Sequence, residues 1–170
     1  NKPSGCTSRD VVNRVQKMVR PEKIGHAGTL DPLATGVLVI AIGGATRLVE
    51  YIQQQPKDYL ATFQLGRSSD TEDIEGKIVE LDDPPRPKRE ELEAVLPRFT
   101  GEIEQVPPAF SALKVGGRRA YALARRGEEV ELAARHVTIH RLQLVDYSYP
   151  SLRLEITCSS GTYVRSLGRD

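Results

Sequence analysis

The stretch of this 170-residue chain with the most chemical promise is Gly25-His-Ala-Gly-Thr-Leu-Asp-Pro-Leu-Ala-Thr-Gly36, a polar, glycine-rich loop that feeds the apolar run Val37–Ile42. Catalytic groups collect on loops anchored to rigid elements. Gly25, Gly28 and Gly36 permit close backbone approach to a ligand, and Pro32 fixes φ at the residue after Asp31, so one carboxylate is presented rigidly. On local chemistry alone, the commoner role of such an aspartate is to turn the chain before a proline. The loop by itself does not decide between the two.

Other constellations are weaker. The loop lacks the Gly-Lys-Ser/Thr end of a phosphate-binding P-loop, which argues against nucleoside triphosphates. His136 and His140 could share a strand face, but nothing nearby supplies the third and fourth ligands of a zinc site, and no metal is expected. The acidic run Asp70-Thr-Glu-Asp-Ile-Glu-Gly76 invites a calcium-loop reading. Placing Gly76 at the loop's sixth position puts Thr71 where the first aspartate belongs, so a solvated turn is expected. Lys114, Arg118, Arg119, Arg125 and Arg126 crowd one segment. On a helix, Arg118 with Arg125 and Arg119 with Arg126 would share faces and could follow a phosphate backbone, or simply be solvated.

These groups must be positioned by the elements around them. Ser8 is the expected cap of a first helix whose Val11, Val12, Val15, Met18 and Val19 form a core stripe, stopped by Pro21. Val37–Ile42 is apolar on both faces and predicts a central buried strand. Residues 45–54 look helical. Asp58–Leu65 alternates, with Tyr59, Ala61, Phe63 and Leu65 on one face, and Lys77–Leu81 is its expected partner strand. A helix over Lys88–Leu96 ends at Pro97, and a short one over Arg118–Arg126 ends at Gly127. Val130–Leu132, His136–Tyr147 and Leu152–Cys158 favour strand, and a last helix starts near Thr162. The pattern predicts an α/β (α+β) architecture with a mixed, largely antiparallel sheet flanked by helices.

Length and 39% hydrophobic content fit one globular domain. No run approaches the roughly 20 apolar residues that span a bilayer, and no signal peptide is evident, so a soluble, cytoplasmic, non-membrane protein is expected. Cys6 and Cys158 make a poor disulfide framework and read as buried free thiols. The net charge of +1 is uninformative, because 24 basic and 23 acidic residues nearly cancel. Asn1 is not a methionine and Asp170 falls inside an unfinished helix, so residues 1–170 are expected to be a domain truncated at both ends.

Several ordered blocks carry a resemblance. They are Asn1-Lys-Pro-Ser-Gly-Cys-Thr-Ser8, Gly25–Pro32, Gly36-Val-Leu38, Ala45-Thr-Arg-Leu48, Lys57-Asp-Tyr59, Leu65-Gly66 and Asp70-Thr-Glu-Asp73. Pro107–Lys114, Arg119-Ala-Tyr121 and Ser160–Arg165 follow. In order and spacing they resemble the TruB family of tRNA pseudouridine synthases. The resemblance implies the pseudouridine synthase catalytic fold and isomerisation of a flipped-out uridine in the tRNA T loop, position 55, without a cofactor. It implies a nucleophilic Asp31, a Tyr59 that stacks on the uracil and can accept its C5 proton, and an Arg165 paired to Asp31. It puts Tyr163 in the same pocket and His26 against the extruded RNA, with Gly28, Thr29 and Leu30 on the substrate. Lys2 supports the active-site loops at the same site, or is simply solvated. Phosphate contacts are expected from Lys114, Arg118, Arg119, Arg125 and Arg126. The expected partner is the tRNA T stem-loop, bound by a monomer, and the C-terminal RNA-binding domain (PUA-like) common in the family is not in this chain. A guide-RNA-dependent branch of the family, or an RNA-binding relative without chemistry, are the alternatives.

Overall fold

The computed structural model describes residues 1–128 and 130–170. The contacts of the chain fall into two compact units, Asn1–Gln55 and Pro56–Asp170.

The first unit opens with helix α1, Ser8–Val19. Its cap is Thr7 rather than Ser8. The Thr7 hydroxyl accepts from the Asp10 N–H (3.1 Å), and the Asp10 carboxylate accepts from the Thr7 N–H (2.9 Å), a reciprocal capping box. The box leaves Ser8 free to turn inward. Val12 is buried, but Met18 in the last turn is 83% exposed, so the apolar stripe is core only over part of its length. Arg20 is extended, as a residue preceding proline tends to be, and the helix stops there.

Strands β1 (Ile24–His26) and β2 (Ile40–Ile42) pair antiparallel, with His26 opposite Ile40. The run Val37–Ile42 is therefore not a central buried strand. Three of its residues join a ladder with one neighbour, only Ala41 is buried, and Val37 is 84% exposed. An apolar run is compatible with burial on two sides, but the number of neighbouring strands is set elsewhere in the fold. A 3-10 turn over Gly43–Leu48 and helix α2 (Val49–Gln54) complete the unit, matching the expected helical stretch.

The second unit contains β3 (Lys57–Gln64), β4 (Arg67–Ser69), β5 (Ile78–Glu80), helix α3 (Arg89–Val95) and β6 (Gly101–Gln105). It continues with β7 (Lys114–Val115), β8 (Arg118–Arg119), helix α4 (Ala120–Ala124), β9 (Arg135–Ser148), β10 (Ser151–Cys158) and helix α5 (Val164–Arg169). Its main sheet has the order β3-β10-β9-β6 and is antiparallel throughout. Alternation decides its faces. Leu152, Leu154, Ile156 and Cys158 of β10 are buried with Ile139 and Leu167, and Tyr59, Ala61, Phe63 and Leu65 pack against them as the sequence predicts. Leu92, Leu96, Phe99 and Val164 cover that core from the helical side.

Three expectations for this unit fail. β5 pairs with β4, not with β3, whose partner is β10 over eight paired positions where Ile78–Glu80 offers three. Arg118–Arg126 is not one helix. Gly116 and Gly117 have φ of 56° and 82°, the two left-handed residues of a tight hairpin turn, so Lys114 pairs with Arg119 and Val115 with Arg118. Helix begins only at Ala120, and Gly127 follows it with φ of 74°. Val130–Leu132 forms no strand, whereas the next two predicted strands are β9 and β10.

Candidate active site

In the first unit the Gly25–Gly36 loop is clasped by the N-terminal segment. The Ser8 hydroxyl accepts from the Leu30 N–H (2.9 Å) and lies 3.2 Å from the Leu30 carbonyl oxygen, which can accept from it. The Gly5 N–H donates to the Pro32 carbonyl (2.9 Å), and Lys2 exchanges two backbone bonds with Gly36. Asp31 thus sits between two residues that are each tied down. Its own carbonyl accepts from the Ala34 N–H (3.1 Å), closing a turn. The Asp31 side chain is half-buried, Thr29 is exposed, and His26 leans back so that Nδ1 meets the Gly28 carbonyl.

Lys2 is the least expected member. Its side chain is fully buried, and Nζ donates to the carbonyls of Pro3 (2.9 Å), Cys6 (2.7 Å) and Pro32 (3.1 Å). A buried ammonium is costly unless its donors are matched, and here three carbonyl dipoles face three N–H groups. This is no solvated lysine. It ties the residue after Asp31 to the chain's first turn.

In the second unit Tyr59 lies on β3 opposite Ile156, half-buried against the core. Tyr163 and Arg165 stand at the entry of α5. The fully buried Gln105 brackets the Tyr163 backbone, accepting from its N–H (2.8 Å) and donating to its carbonyl (3.1 Å). The Tyr163 ring carries the Arg135 guanidinium 4.8 Å from its centre. Arg165 donates from Nη1 to the Thr71 carbonyl (2.7 Å) and from Nη2 to the Phe110 carbonyl (3.0 Å), and Nη1 lies 3.6 Å from the Asp73 carboxylate.

The acidic run Asp70–Gly76 is accordingly not a solvated turn. The side chains of Asp73 and Glu72 are 12% and 18% exposed, and Glu72 pairs with Arg169 at 2.7 Å. Asp73 also accepts from the Thr71 hydroxyl (2.6 Å) and the Glu75 N–H (3.0 Å), and Asp70 accepts from the Lys77 N–H (2.8 Å). A Cβ at Gly76 would overlap polar atoms of Ser69, Asp70 and Thr71, so only glycine fits inside the loop. The compensating charge comes from α5, where Arg165 and Arg169 are four apart on one face. Burial alone would lower the Arg169 pKa, but its bonds to Asp170 and Glu72 outweigh that and raise it. That i,i+4 arginine spacing was the available signal for Glu72, Asp73 and Arg169 as site residues, and sequence reasoning missed it. Gln105 and Arg135 carry no local signal at all.

The basic segment is spread over a hairpin and a helix, so the seven-residue face pairing of Arg118 with Arg125 and of Arg119 with Arg126 does not form. Instead Arg118, Arg119 and Arg126 line an open depression of about 330 Å³ with Ala122 and Leu123. Arg125 lies against the Tyr121 ring at 5.6 Å, Arg119 also donates to the Ala112 carbonyl, and Lys114 is exposed. A larger open depression of about 600 Å³ lies between Leu96, Pro97 and Leu142–Leu144, with Glu93 its one ionisable lining group, too little chemistry for a catalytic site. His136 is exposed beside Glu102 (3.4 Å) and Glu104 (3.7 Å), a surface cluster. Among the described residues no helix is long and apolar enough to cross a membrane, and no group of three or more His, Cys, Asp or Glu could hold a metal ion.

The profile of TruB family pseudouridylate synthases (N-terminal domain) matches residues 16–164, most of the chain. The chain belongs to this family. The tRNA pseudouridine synthase B of Rhodopirellula baltica is 49% identical over 175 residues, covering 99% of this chain and 50% of that protein. The one from Clostridium kluyveri is 48% identical over 170 residues, covering all of this chain and 58% of that protein. The chain therefore spans 50% to 58% of the length of these TruB relatives. Among solved structures, a chain of a Cbf5-Nop10-Gar1 complex superposes with a TM-score of 0.72 at 28% identity, over 98% of this chain and 40% of that one. A chain of an H/ACA RNP bound to a substrate RNA containing 2′-deoxyuridine gives 0.67 at 26% identity. The α/β fold of antiparallel sheets with helices is thus the fold of this family, without the parallel pairing that a mixed sheet would need among the described residues.

Proposed function

We propose that the protein converts uridine to pseudouridine in the T loop of tRNA, at position 55, with Asp31 as the nucleophile and without a cofactor. The observation that carries this reading is near-50% identity, over the whole chain, to proteins named tRNA pseudouridine synthase B. Breaking N1–C1′, turning the base, joining C5 to C1′ and releasing the C5 proton involve no net redox change. Each plausible first step, attack on C1′, addition to uracil C6 or assisted elimination to a glycal, calls for an ionised, oriented carboxylate. The clasp on Leu30 and Pro32 supports that role for Asp31, and the exposed Thr29 and the loop backbone at Gly28 would face the extruded nucleotide.

Tyr59 would stack on the uracil and take up the C5 proton, Tyr163 would line the same pocket, and Arg165 would pair with Asp31. An anion is favoured by such a guanidinium through charge and directed hydrogen bonds. Lys114, Arg118, Arg119, Arg125 and Arg126 would meet phosphates, reading shape rather than sequence. Such work belongs in the cytoplasm, where tRNA is matured. The guide-RNA-dependent branch is the second reading, supported by the Cbf5 likeness at 28% identity, against 48–50% for the stand-alone relatives.

The test is to incubate the full-length protein with unmodified tRNA, without guide RNA, and to map pseudouridine. A single modified site in the T loop is expected, and Asp31→Asn should bind tRNA yet form none. Modification only on addition of a guide RNA, or activity of Asp31→Asn near the parent's, would overturn the reading.

A further inference from the structure

The last residue pair of the β6–β9 ladder joins Gln105 to Arg135, and both side chains reach the same short segment, Gly161–Tyr163. Gln105 holds the Tyr163 backbone at both its donor and its acceptor, a two-point grip that fixes the plane of that residue as a strand neighbour would. Arg135 donates to the Gly161 carbonyl and lies over the Tyr163 ring. Tyr163 caps α5 without any side-chain cap of its own, and its carbonyl accepts from the Leu167 N–H (3.2 Å). The first turn of α5, with Arg165 in it, therefore takes its position from whatever holds Tyr163.

We infer that Gln105 is a positioning residue for the pseudouridine reaction: its buried amide sets the entry of α5 and thereby the aim of Tyr163 and Arg165. The inference rests on the proposed function. A glutamine with no exposed surface is spent here on a turn, not on secondary structure, and removing its amide leaves the Tyr163 N–H unpaired and the Tyr163 carbonyl with the Leu167 N–H alone. An arginine that must serve the carbonyls of Thr71 and Phe110 at once tolerates little displacement of its own backbone. A misplacement on the order of 1 Å can cost about a hundredfold in rate.

The experiment uses the full-length protein and unmodified tRNA under single turnover, with three side chains at this position. Gln105→Met, of similar volume and without hydrogen bonds, should lower the rate at saturating tRNA by about tenfold or more, with tRNA affinity within about threefold of the parent. Gln105→Glu can accept from the Tyr163 N–H but can donate to its carbonyl only when protonated. Its rate relative to the parent should therefore recover as pH falls from about 8 to about 6, a buried carboxyl beside a carbonyl having a raised pKa. Hydrogen exchange at residues 162–166 should quicken in Gln105→Met. A rate for Gln105→Met within twofold of the parent, or affinity and rate falling together with no recovery of Gln105→Glu at low pH, would overturn the positioning role. A parent protein that makes no pseudouridine in tRNA would instead sink the proposed function, and the exchange measurement would still report whether Gln105 holds α5.

Discussion

Replacing Lys2 by methionine tests how the Asp31 loop is held. Three hydrogen bonds from a charged donor carry about 1.5–3 kcal/mol each, against a desolvation cost of several kcal/mol for the ammonium. Methionine nearly matches the lysine stem in volume and removes the desolvation cost, so the loss is set by the carbonyls left behind. Pro32 O keeps the Gly5 N–H at 2.9 Å, and Pro3 O keeps a contact with the Cys6 thiol at 3.5 Å. Cys6 O, at 2.7 Å from Nζ, is the group stranded in the interior. One stranded carbonyl and two weakened ones give an expected net loss of about 2–4 kcal/mol. Urea unfolding of full-length parent and variant, followed by far-ultraviolet circular dichroism, should show a lower midpoint at unchanged slope. Lys2→Arg should fare no better, because a planar fork does not match three carbonyls arranged around one nitrogen. A Lys2→Met protein within about 0.5 kcal/mol of the parent would mean that the ammonium is not what holds Pro32, since that is the scatter of surface substitutions.

Arg165→Lys keeps the charge but not the fork that serves Thr71, Phe110 and Asp73, so turnover should fall by about tenfold or more while tRNA affinity changes little; equal loss of both would make Arg165 a phosphate contact instead. Arg118→Ala and Arg126→Ala should each weaken tRNA binding and flatten its logarithmic salt dependence by about 0.7–0.9, and an unchanged slope would remove that residue from the phosphate interface. Cys158 is fully buried and its thiol pKa is raised above 9.0 by desolvation, so a thiol reagent should label Cys6 in the native protein and Cys158 only on unfolding. Because the unfolded thiol ionises first, Cys158 favours the folded state less as pH rises above its unfolded value, and Cys158→Ala should lose less stability than the parent between neutral and alkaline pH in urea unfolding.

Much of the second unit was legible because its signals are local. Alternation over Asp58–Leu65 and Leu152–Cys158 names the inward face residue by residue, and Pro97 stops α3 for steric reasons that hold in any context. The failures share a cause. Val37–Ile42 is apolar on both faces, but whether a strand has two neighbours, one or none is decided by segments elsewhere, and here one neighbour of three residues is all it has among the described residues. The arginines of the basic segment point to helix, although the Gly116-Gly117 pair between strands is a hairpin signal with a definite mechanism. The loop around Asp31 was found from its glycines and Pro32, but nothing near Asn1 in the sequence says that a lysine thirty residues away will donate to Pro32.

The acidic run shows why charge counted along a chain misleads. Four carboxylates within seven residues repel one another in water, which is why a solvated turn was expected. In the fold two of them, Glu72 and Asp73, are mostly buried, which is tolerable only where opposite charge and donors meet them. Arg169 and Arg165 bring that charge, and the turn's own N–H and hydroxyl groups supply the remaining donors, so the run closes on α5. The arrangement constrains the arginines as much as the carboxylates. Arg165 has its donors pointed at Thr71 and Phe110 by carbonyls that come from two different loops, and Asp73 stands 3.6 Å away as a fixed negative charge. A surface arginine could swing among solvent positions, whereas this one is held from two loops and by the backbone of its own helix. The run that looks like a repulsive patch in sequence therefore contributes, through the Thr71 carbonyl and the Asp73 carboxylate, to holding the guanidinium proposed to orient the nucleophile.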